Sequence, residues 1–270
     1  MVAVLVAGTG GVIVTGALCF WNESPDDLDR CVRGLANVAD RVVALDGAYV
    51  RYPTATAHSP DDQIAAIRDA AKAVGLDCLV VQPDRLWAGQ VEKRSNLLAL
   101  ASVGSDWIAT VDADHVIHAD RDGVRLTLRH LPTDVLSVPY VTPANPDRSL
   151  ADSAVGIWHQ DQMGEPQFIP HLWRVLPGLR VERFHWWYSA VKNGHRTWLW
   201  GGDGNFPSVE HQRMRRGYEI EHRTMMRTAE QIRLSRAFLN DREEIVRKTG
   251  QEDNLPGLPL PKFDYDSIPA

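Results

Sequence analysis

The residues best placed to do chemistry are Asp112-Ala113-Asp114, which close the run Asp106-Trp107-Ile108-Ala109-Thr110-Val111. An apolar run rich in β-branched and aromatic residues has the composition of a buried strand, and this one ends in two carboxylates separated by a single alanine. If extended geometry persists through Asp114, side chains two apart project to the same side. Both carboxylates would then face one spot at the strand's C-terminal end, where open α/β sheets bind ligands. Two carboxylates held together repel unless a cation lies between or beside them. All-oxygen ligation suits Mg²⁺ or Mn²⁺, ions that normally also hold substrate phosphates. The plainer alternative is an acidic turn capping the next helix.

The elements that must position this pair precede it. Gly8-Thr9-Gly10-Gly11 follows an apolar run, but a dinucleotide fingerprint would want a third glycine where Ile13 stands, so the cluster reads as a turn between two strands or a lead-in. Val12 to Phe20 is strand-like and ends at Trp21-Asn22-Glu23. Ser24-Pro25-Asp26-Asp27 is a helix start with Ser24 as N-cap, and Leu28, Val32, Leu35 and Val38 form the buried stripe. Arg41 to Leu45 is a second strand that stops at Asp46-Gly47. Ser59-Pro60-Asp61-Asp62 repeats the helix-start pattern, with Ile64, Ile67, Ala71 and Val74 on one face. A third strand over Cys78 to Gln82 and a helix from about Glu92 to Ser102 lead into the Asp106 run. The order β-α-β-α-β-α-β predicts a parallel, right-handed sheet whose working ends share one edge. Asn22, Glu23, Asp46, Gly47, Asp112 and Asp114 all fall there, the layout of a nucleotide site.

Composition narrows the class. The 270 residues are 44% hydrophobic, enough for one large α/β domain or two small ones. A net charge of -6 argues against coating nucleic acid through bulk charge. Cys19, Cys31 and Cys78 lie in apolar or helical surroundings without Cys-x-x-Cys spacing, the pattern of buried free thiols in a reducing compartment. Met1 to Gly16 is apolar but lacks a basic flank and is interrupted by glycines. Neither a signal peptide nor stable membrane insertion is expected, and the protein is read as cytoplasmic.

Trp21-Asn22-Glu23, the strand ending in Asp46-Gly47, Arg94 with Asn96 on a helix, and Trp107-Ile108 leading into Asp112-Ala113-Asp114 resemble the nucleotide half of family 2-like glycosyltransferases of the GT-A fold. The match runs from residue 12 to about 120 in order and spacing. The resemblance implies an α/β fold with a mostly parallel central sheet, helices on both faces and a short antiparallel extension. It implies a single domain over residues 1–250: a nucleotide-sugar half (12–120), an acceptor-side half (121–222) and a C-terminal helix (223–250), before an extended, proline-rich tail over 251–270. By the same resemblance Asn22 and Glu23 border the nucleotide site, Asp46 contacts the base, Asp112 and Asp114 bind the metal and the sugar nucleotide, and Arg94 approaches the diphosphate. Many relatives carry a glutamate straight after the acidic pair, whereas this chain has His115, read as an additional ligand or, by preference, as facing solvent.

The second half is less regular. From Leu136 to Trp200 short stretches separated by Pro and Gly predict an antiparallel extension. Six of the nine tryptophans, Trp158, Trp173, Trp186, Trp187, Trp198 and Trp200, fall there; an indole offers a sugar a flat apolar surface and an N–H donor, although core packing is expected for more than half of them. Phe168 to His185 resembles the family segment running from an arginine-bearing strand past a Pro-Gly turn to a histidine, and Val209-Glu210-His211 resembles its later strand. His211 is therefore the implied third metal ligand, and because a cationic segment just after it can neutralise a leaving group, Arg213, Arg215 or Arg216 is read as closing over the diphosphate. These arginines belong to a larger group reaching Arg236, whose ordinary reading is a solvated helix face.

The expectation is a metal-dependent glycosyltransferase, of inverting type, using Mn²⁺ or Mg²⁺ and a UDP- or GDP-sugar. Asp203 lies near the family's catalytic-base position, with Glu182 and Asp161 as alternatives; by itself Asp203, flanked by glycines, is a turn aspartate. The acceptor is left open between glycan, protein, small molecule and modified DNA. Two rivals stand beside this reading. A sugar-phosphate nucleotidyltransferase would want an Arg or Lys close behind Gly8 to Gly11, and Val12 to Phe20 supplies none. A non-catalytic carbohydrate-binding protein would rest on the tryptophans alone.

Overall fold

Strand and helix segments alternate through the first half because short continuous apolar runs, buried on both faces, give way to stretches whose apolar residues recur at a period near 3.6. The computed structural model describes residues 11–50, 52, 55–141, 167–182, 188–200, 212–214 and 216–223. The elements of the first half are β1 (Val14–Cys19), α1 (Pro25–Leu35), β2 (Arg41–Leu45), α2 (Asp61–Ala73), β3 (Asp77–Val81), α3 (Gln90–Ser102) and β4 (Trp107–Asp112). Beyond them come β5 (His115–Ala119), α4 (Arg121–His130), β6 (Val135–Val141), β7 (Gln167–Arg174), β8 (Arg180–Val181), β9 (Tyr188–Lys192), β10 (His195–Trp200), β11 (Gln212–Arg213) and β12 (Tyr218–His222).

Nine strands form one sheet in the order β3-β2-β1-β4-β7-β6-β12-β5, with β11 beside β6. Pairing is parallel among β1, β2, β3 and β4, and between β6 and both β11 and β12. It is antiparallel where β7 lies between β4 and β6, and where β5 meets β12. The expected antiparallel extension is thus divided: β7 is inserted within the large sheet, and β8, β9 and β10 make a separate three-stranded sheet.

The large sheet separates two cores. Val14, Leu18, Val42, Ala44, Trp107 and Val111 face α1, α2 and α4 through Leu28, Val32, Leu35, Ile64, Ile67, Val124 and Leu128. Ala17, Cys19, Val43, Leu45, Ile108 and Trp173 face α3 and the small sheet through Leu97, Leu98, Tyr188 and Leu199. Each fully buried aliphatic or aromatic side chain contributes about 1.5–3 kcal/mol, so the two cores fix the strand order and with it the shared edge. Trp173 is a packing residue stacked on Tyr188 at 3.8 Å, whereas Trp198 is 39% exposed. Trp158, Trp186 and Trp187 lie outside the described residues.

Several expectations shift at the ends of elements. The thiols of Cys19 and Cys31 are buried but Cys78 is exposed, because β3 is the outer strand of the sheet. Ser24 occupies the N-cap position of α1 without a side-chain capping bond. The N-cap position of α2 falls on Pro60, and the Ser59 hydroxyl bonds to Asp46 instead. Residues 1–10 and 224–270, and with them the Gly8–Gly10 positions, the C-terminal helix and the tail, lie outside the described residues. No helix among the described residues is long and apolar enough to cross a membrane.

Candidate functional site

β1, β2 and β4 end level with one another: Cys19 pairs with both Leu45 and Asp112. The next residues of each strand therefore share one edge, as the element order predicts. Asn22 turns the chain there with a positive φ of 50°, a conformation asparagine tolerates, and its N–H donates to Ser59 Oγ at 3.0 Å. Glu23 N–H donates to Gln63 Oε1 at 2.9 Å. Beside them the Trp21 indole donates to Thr56 Oγ1 and meets the Tyr52 ring edge-on at 4.9 Å. Gly47 has φ 101°, and a Cβ there would come within 2.8 Å of the Ala57 carbonyl oxygen and 2.9 Å of the Trp87 indole nitrogen, so this close approach requires glycine.

Asp46 is fully buried. Its carboxylate accepts from Gly47 N–H (2.6 Å), Ser59 N–H (2.8 Å), the Ser59 hydroxyl (2.6 Å) and the Gln82 amide (3.2 Å), while its own carbonyl accepts from the Trp87 indole at 2.7 Å. The residue expected at the base therefore ties the ends of β2 and β3 to the approach to α2, with no oxygen exposed at the surface.

The first turn of α3 holds three consecutive charges that point three ways. Glu92 accepts from Arg85 at 3.0 Å and from Ala88 N–H at 2.6 Å. Lys93, 2% exposed, donates to the Phe20 carbonyl at 2.7 Å and the Gly47 carbonyl at 2.6 Å, pinning the ends of β1 and β2 together. Burial lowers the pKa of its ammonium. Arg94 donates to Asp112 Oδ1 at 2.6 Å, with the two side chains 14% and 35% exposed. Burial, the largest single influence, disfavours the charged guanidinium, but Asp112 together with Cys19, Tyr188 and Tyr49 outweighs it and holds Arg94 well above its ordinary range.

The two aspartates do not share one spot by strand alternation. β4 ends at Asp112, Ala113 and Asp114 form a turn, and β5 begins at His115. Asp112 is drawn toward α3, whereas Asp114, 4% exposed, meets His222 Nε2 at 3.3 Å and His115 Nε2 at 3.9 Å. β12 brings His222 there, in register opposite His115, and Arg223 N–H donates to the Asp114 carbonyl at 2.7 Å. The position of β5 depends on Gly34 of α1, where a Cβ would lie 2.7 Å from Ile117 N.

His115 corrects the preference for solvent: it is buried, accepting from Asp112 N–H at Nδ1 (3.3 Å) and bonding the Tyr140 hydroxyl through Nε2 (3.0 Å). Burial lowers its pKa to about 4 against the upward pull of Asp114 and Asp112, so the ring is neutral at pH 7. The rings of His115, His222 and Tyr140 lie 4.7 to 5.4 Å apart, forming one wall.

Asp114, His115 and His222 each offer one ligand atom, all within 4.8 Å of one another. Donors about 2.1 Å from an ion lie at most about 4.2 Å apart, so Asp114 and His222 already have a suitable spacing and a small contraction would bring in His115. The donor set fits a divalent transition ion, with Asp114 and His222 as the ready pair; His115 could join through Nε2 only with its proton moved to Nδ1, giving up both Tyr140 and the Asp112 N–H.

Other expected site residues are held by partners of their own or lie outside the described residues. The Arg213 guanidinium sits over the Phe168 ring, 5.4 Å from its centroid, on β11 beside Ser137 rather than at the strand ends. Glu182 accepts from Arg180 (2.8 Å), Ser189 (2.6 Å) and Arg196 (3.3 Å). Its burial favours the neutral form, but the Arg180 and Ser189 hydrogen bonds and both guanidiniums lower its pKa, which makes it a poor base. Asp203, His211 and Asp161 lie outside the described residues.

His222, Tyr140, Lys93 and Ser59 were not singled out from sequence. One signal was present: Glu-His occurs twice, at 210–211 and at 221–222, and strand alternation from Tyr218 through Ile220 places His222 on the buried side. Comparison with protein-family models and with curated proteins finds no match.

Proposed function

We propose that the chain is a metal-dependent glycosyltransferase of the GT-A fold that moves a sugar from a nucleoside-diphosphate sugar, UDP or GDP, to a hydroxyl, amine or other nucleophile of an acceptor not yet identified. The observation that carries this reading is the convergence of Arg94, Asp112, Asp114 and His222 at the C-terminal end of β4, beside the turns that follow β1 and β2. Open parallel sheets bind nucleotides at this edge, and a cationic group next to paired carboxylates suits a diphosphate held with a divalent ion.

Asp114 and His222 would hold the ion, joined by His115 or Asp112. The nitrogen donor favours Mn²⁺ over Mg²⁺. Bound there, the ion would supply charge stabilisation to the departing diphosphate. Arg94 would face the same oxygens. Asp46 and Lys93 would keep the base-side turns in place, and Asn22 and Glu23 would border them. In the inverting reaction the acceptor attacks the anomeric carbon, the bond to the diphosphate oxygen breaks, and the acceptor proton passes to a base, for which Asp203 remains the candidate.

The test is a thermal-shift screen of UDP- and GDP-sugars with and without Mn²⁺. A shift with one donor that needs the metal is expected, and His222→Ala should remove the metal requirement together with the shift. No shift with any donor would sink the proposal, and turnover releasing pyrophosphate would identify a nucleotidyltransferase instead.

A further inference from the structure

We propose that Arg94 is a latch that makes metal binding depend on the nucleotide, an inference that rests on the site reading above. The contact at issue is Arg94 Nη2 to Asp112 Oδ1 at 2.6 Å, between side chains only 14% and 35% exposed. A carboxylate oxygen in a short, largely buried bond to a guanidinium is neutralised and directed away from any cation, because a second positive charge would repel the first. Asp112 is also tied to the ligand group through its own N–H, which donates to His115 Nδ1 at 3.3 Å. Its side chain faces α3 while its backbone faces the metal wall.

Recruiting Asp112 requires Arg94 to exchange one anion for another. A diphosphate supplies that second anion. Its oxygens match the guanidinium's donors at least as well as a single carboxylate oxygen does, and α3 carries Arg94 at the edge where a nucleotide would lie. When the nucleotide draws Arg94 off, Asp112 regains its full negative charge beside Asp114, and the pair then attracts a cation that either carboxylate alone holds weakly. The nucleotide and the metal therefore strengthen each other's binding by the same factor, as linkage demands. Without nucleotide the site holds a cation only weakly, through Asp114 and the histidines, which limits its filling with an ion that has no diphosphate to serve.

The experiment is isothermal titration of the full chain with Mn²⁺, alone and with saturating UDP or GDP, for the native protein, Arg94→Gln and Arg94→Lys. The native protein should bind Mn²⁺ about tenfold or more tightly with nucleotide present, and Arg94→Gln should bind Mn²⁺ without nucleotide more tightly than the native protein does, with the coupling largely gone. Arg94→Lys should fall between them. A residue that merely positions Asp112 would give the opposite sign, a loss of Mn²⁺ affinity on substitution. That loss, or a native Mn²⁺ affinity indifferent to nucleotide, overturns the latch while leaving the metal site intact. Absence of Mn²⁺ binding under both conditions removes the site reading itself, and the latch with it. Should Arg94→Gln fail to unfold cooperatively, the sign of the change in Arg94→Lys decides the matter.

Discussion

The two sides of the site solve the problem of buried polarity differently. On the side formed by β1, β2 and the first turn of α3, the groups are full charges, and each is held by several partners: Asp46 by four hydrogen bonds, Lys93 by two carbonyls, Glu92 by Arg85 and Ala88. On the side formed by β5, β6, β7 and β12, most buried polar groups are rings, His115, His171, His222, Tyr140 and Tyr218, beside the Asp114 carboxylate and the Ser137 hydroxyl. Saturated charges make a stiff rim, since moving any one strands another in a low-dielectric interior. Packed rings, of which His115 and His171 are held neutral by burial, form a wall that could re-pair around a cation.

The largest effect is expected from breaking the stiff side. Asp46→Ala leaves the N–H groups of Gly47 and Ser59 and the Ser59 hydroxyl without their acceptor, and should cost about 3–5 kcal/mol in urea unfolding. A loss below about 1 kcal/mol would show that the rim is not braced as described.

The ring side should declare itself through pH. Burial lowers the pKa of His115 to about 4 and that of His171 to about 3, from 6.5. Between those values and 6.5 the unfolded chain binds more protons than the folded one. Stability is therefore fully present above pH 6.5 and lost as pH falls toward 4 and then 3. Loss of about 3 kcal/mol for His115 and about 5 kcal/mol for His171 is expected by chemical denaturation across that window, and a flat profile between pH 6.5 and 4.5 would contradict it. His171→Phe should flatten the lower part of the curve.

The smallest effect should come from Tyr218→Phe. The Tyr218 hydroxyl is buried with no hydrogen-bond partner among the described residues, so its removal should be neutral or stabilising by up to about 1 kcal/mol. A loss above that would reveal a partner, and with it more order on the ring side than the described contacts supply.

The first half of the fold was legible in the sequence because each strand there is a continuous apolar run closed by a charged or glycine turn. Arg41–Leu45 has the expected limits, α1 ends three residues before Val38 of its expected stripe, and the other first-half strands and helices differ by one or two residues at their ends. The small-sheet strands are short and set apart by turns, so their pairing depends on contacts far along the chain, and sequence alone could not place β7 between β4 and β6. At the site, strand periodicity failed at Ala113, where a turn not marked by Gly or Pro sends Asp112 and Asp114 to different partners. The low amphipathicity of the first turn of α3 concealed its role, because Glu92 and Lys93 are charged yet buried. Helical periodicity assigns such residues to solvent.

Glu92, Lys93 and Arg94 also constrain how the chain can change. A single inserted or deleted residue between Gly89 and Glu92 would rotate that turn by about 100° and shift it by about 1.5 Å, misdirecting all three side chains together. The same change at the Asn193-Gly194 turn between β9 and β10, where even an added Cβ at Gly194 meets nothing within 4 Å, would only lengthen a hairpin. Natural length variation in this protein should therefore collect at such turns and avoid the approach to α3, giving the segment around Gly89 a fixed spacing that no single contact would reveal.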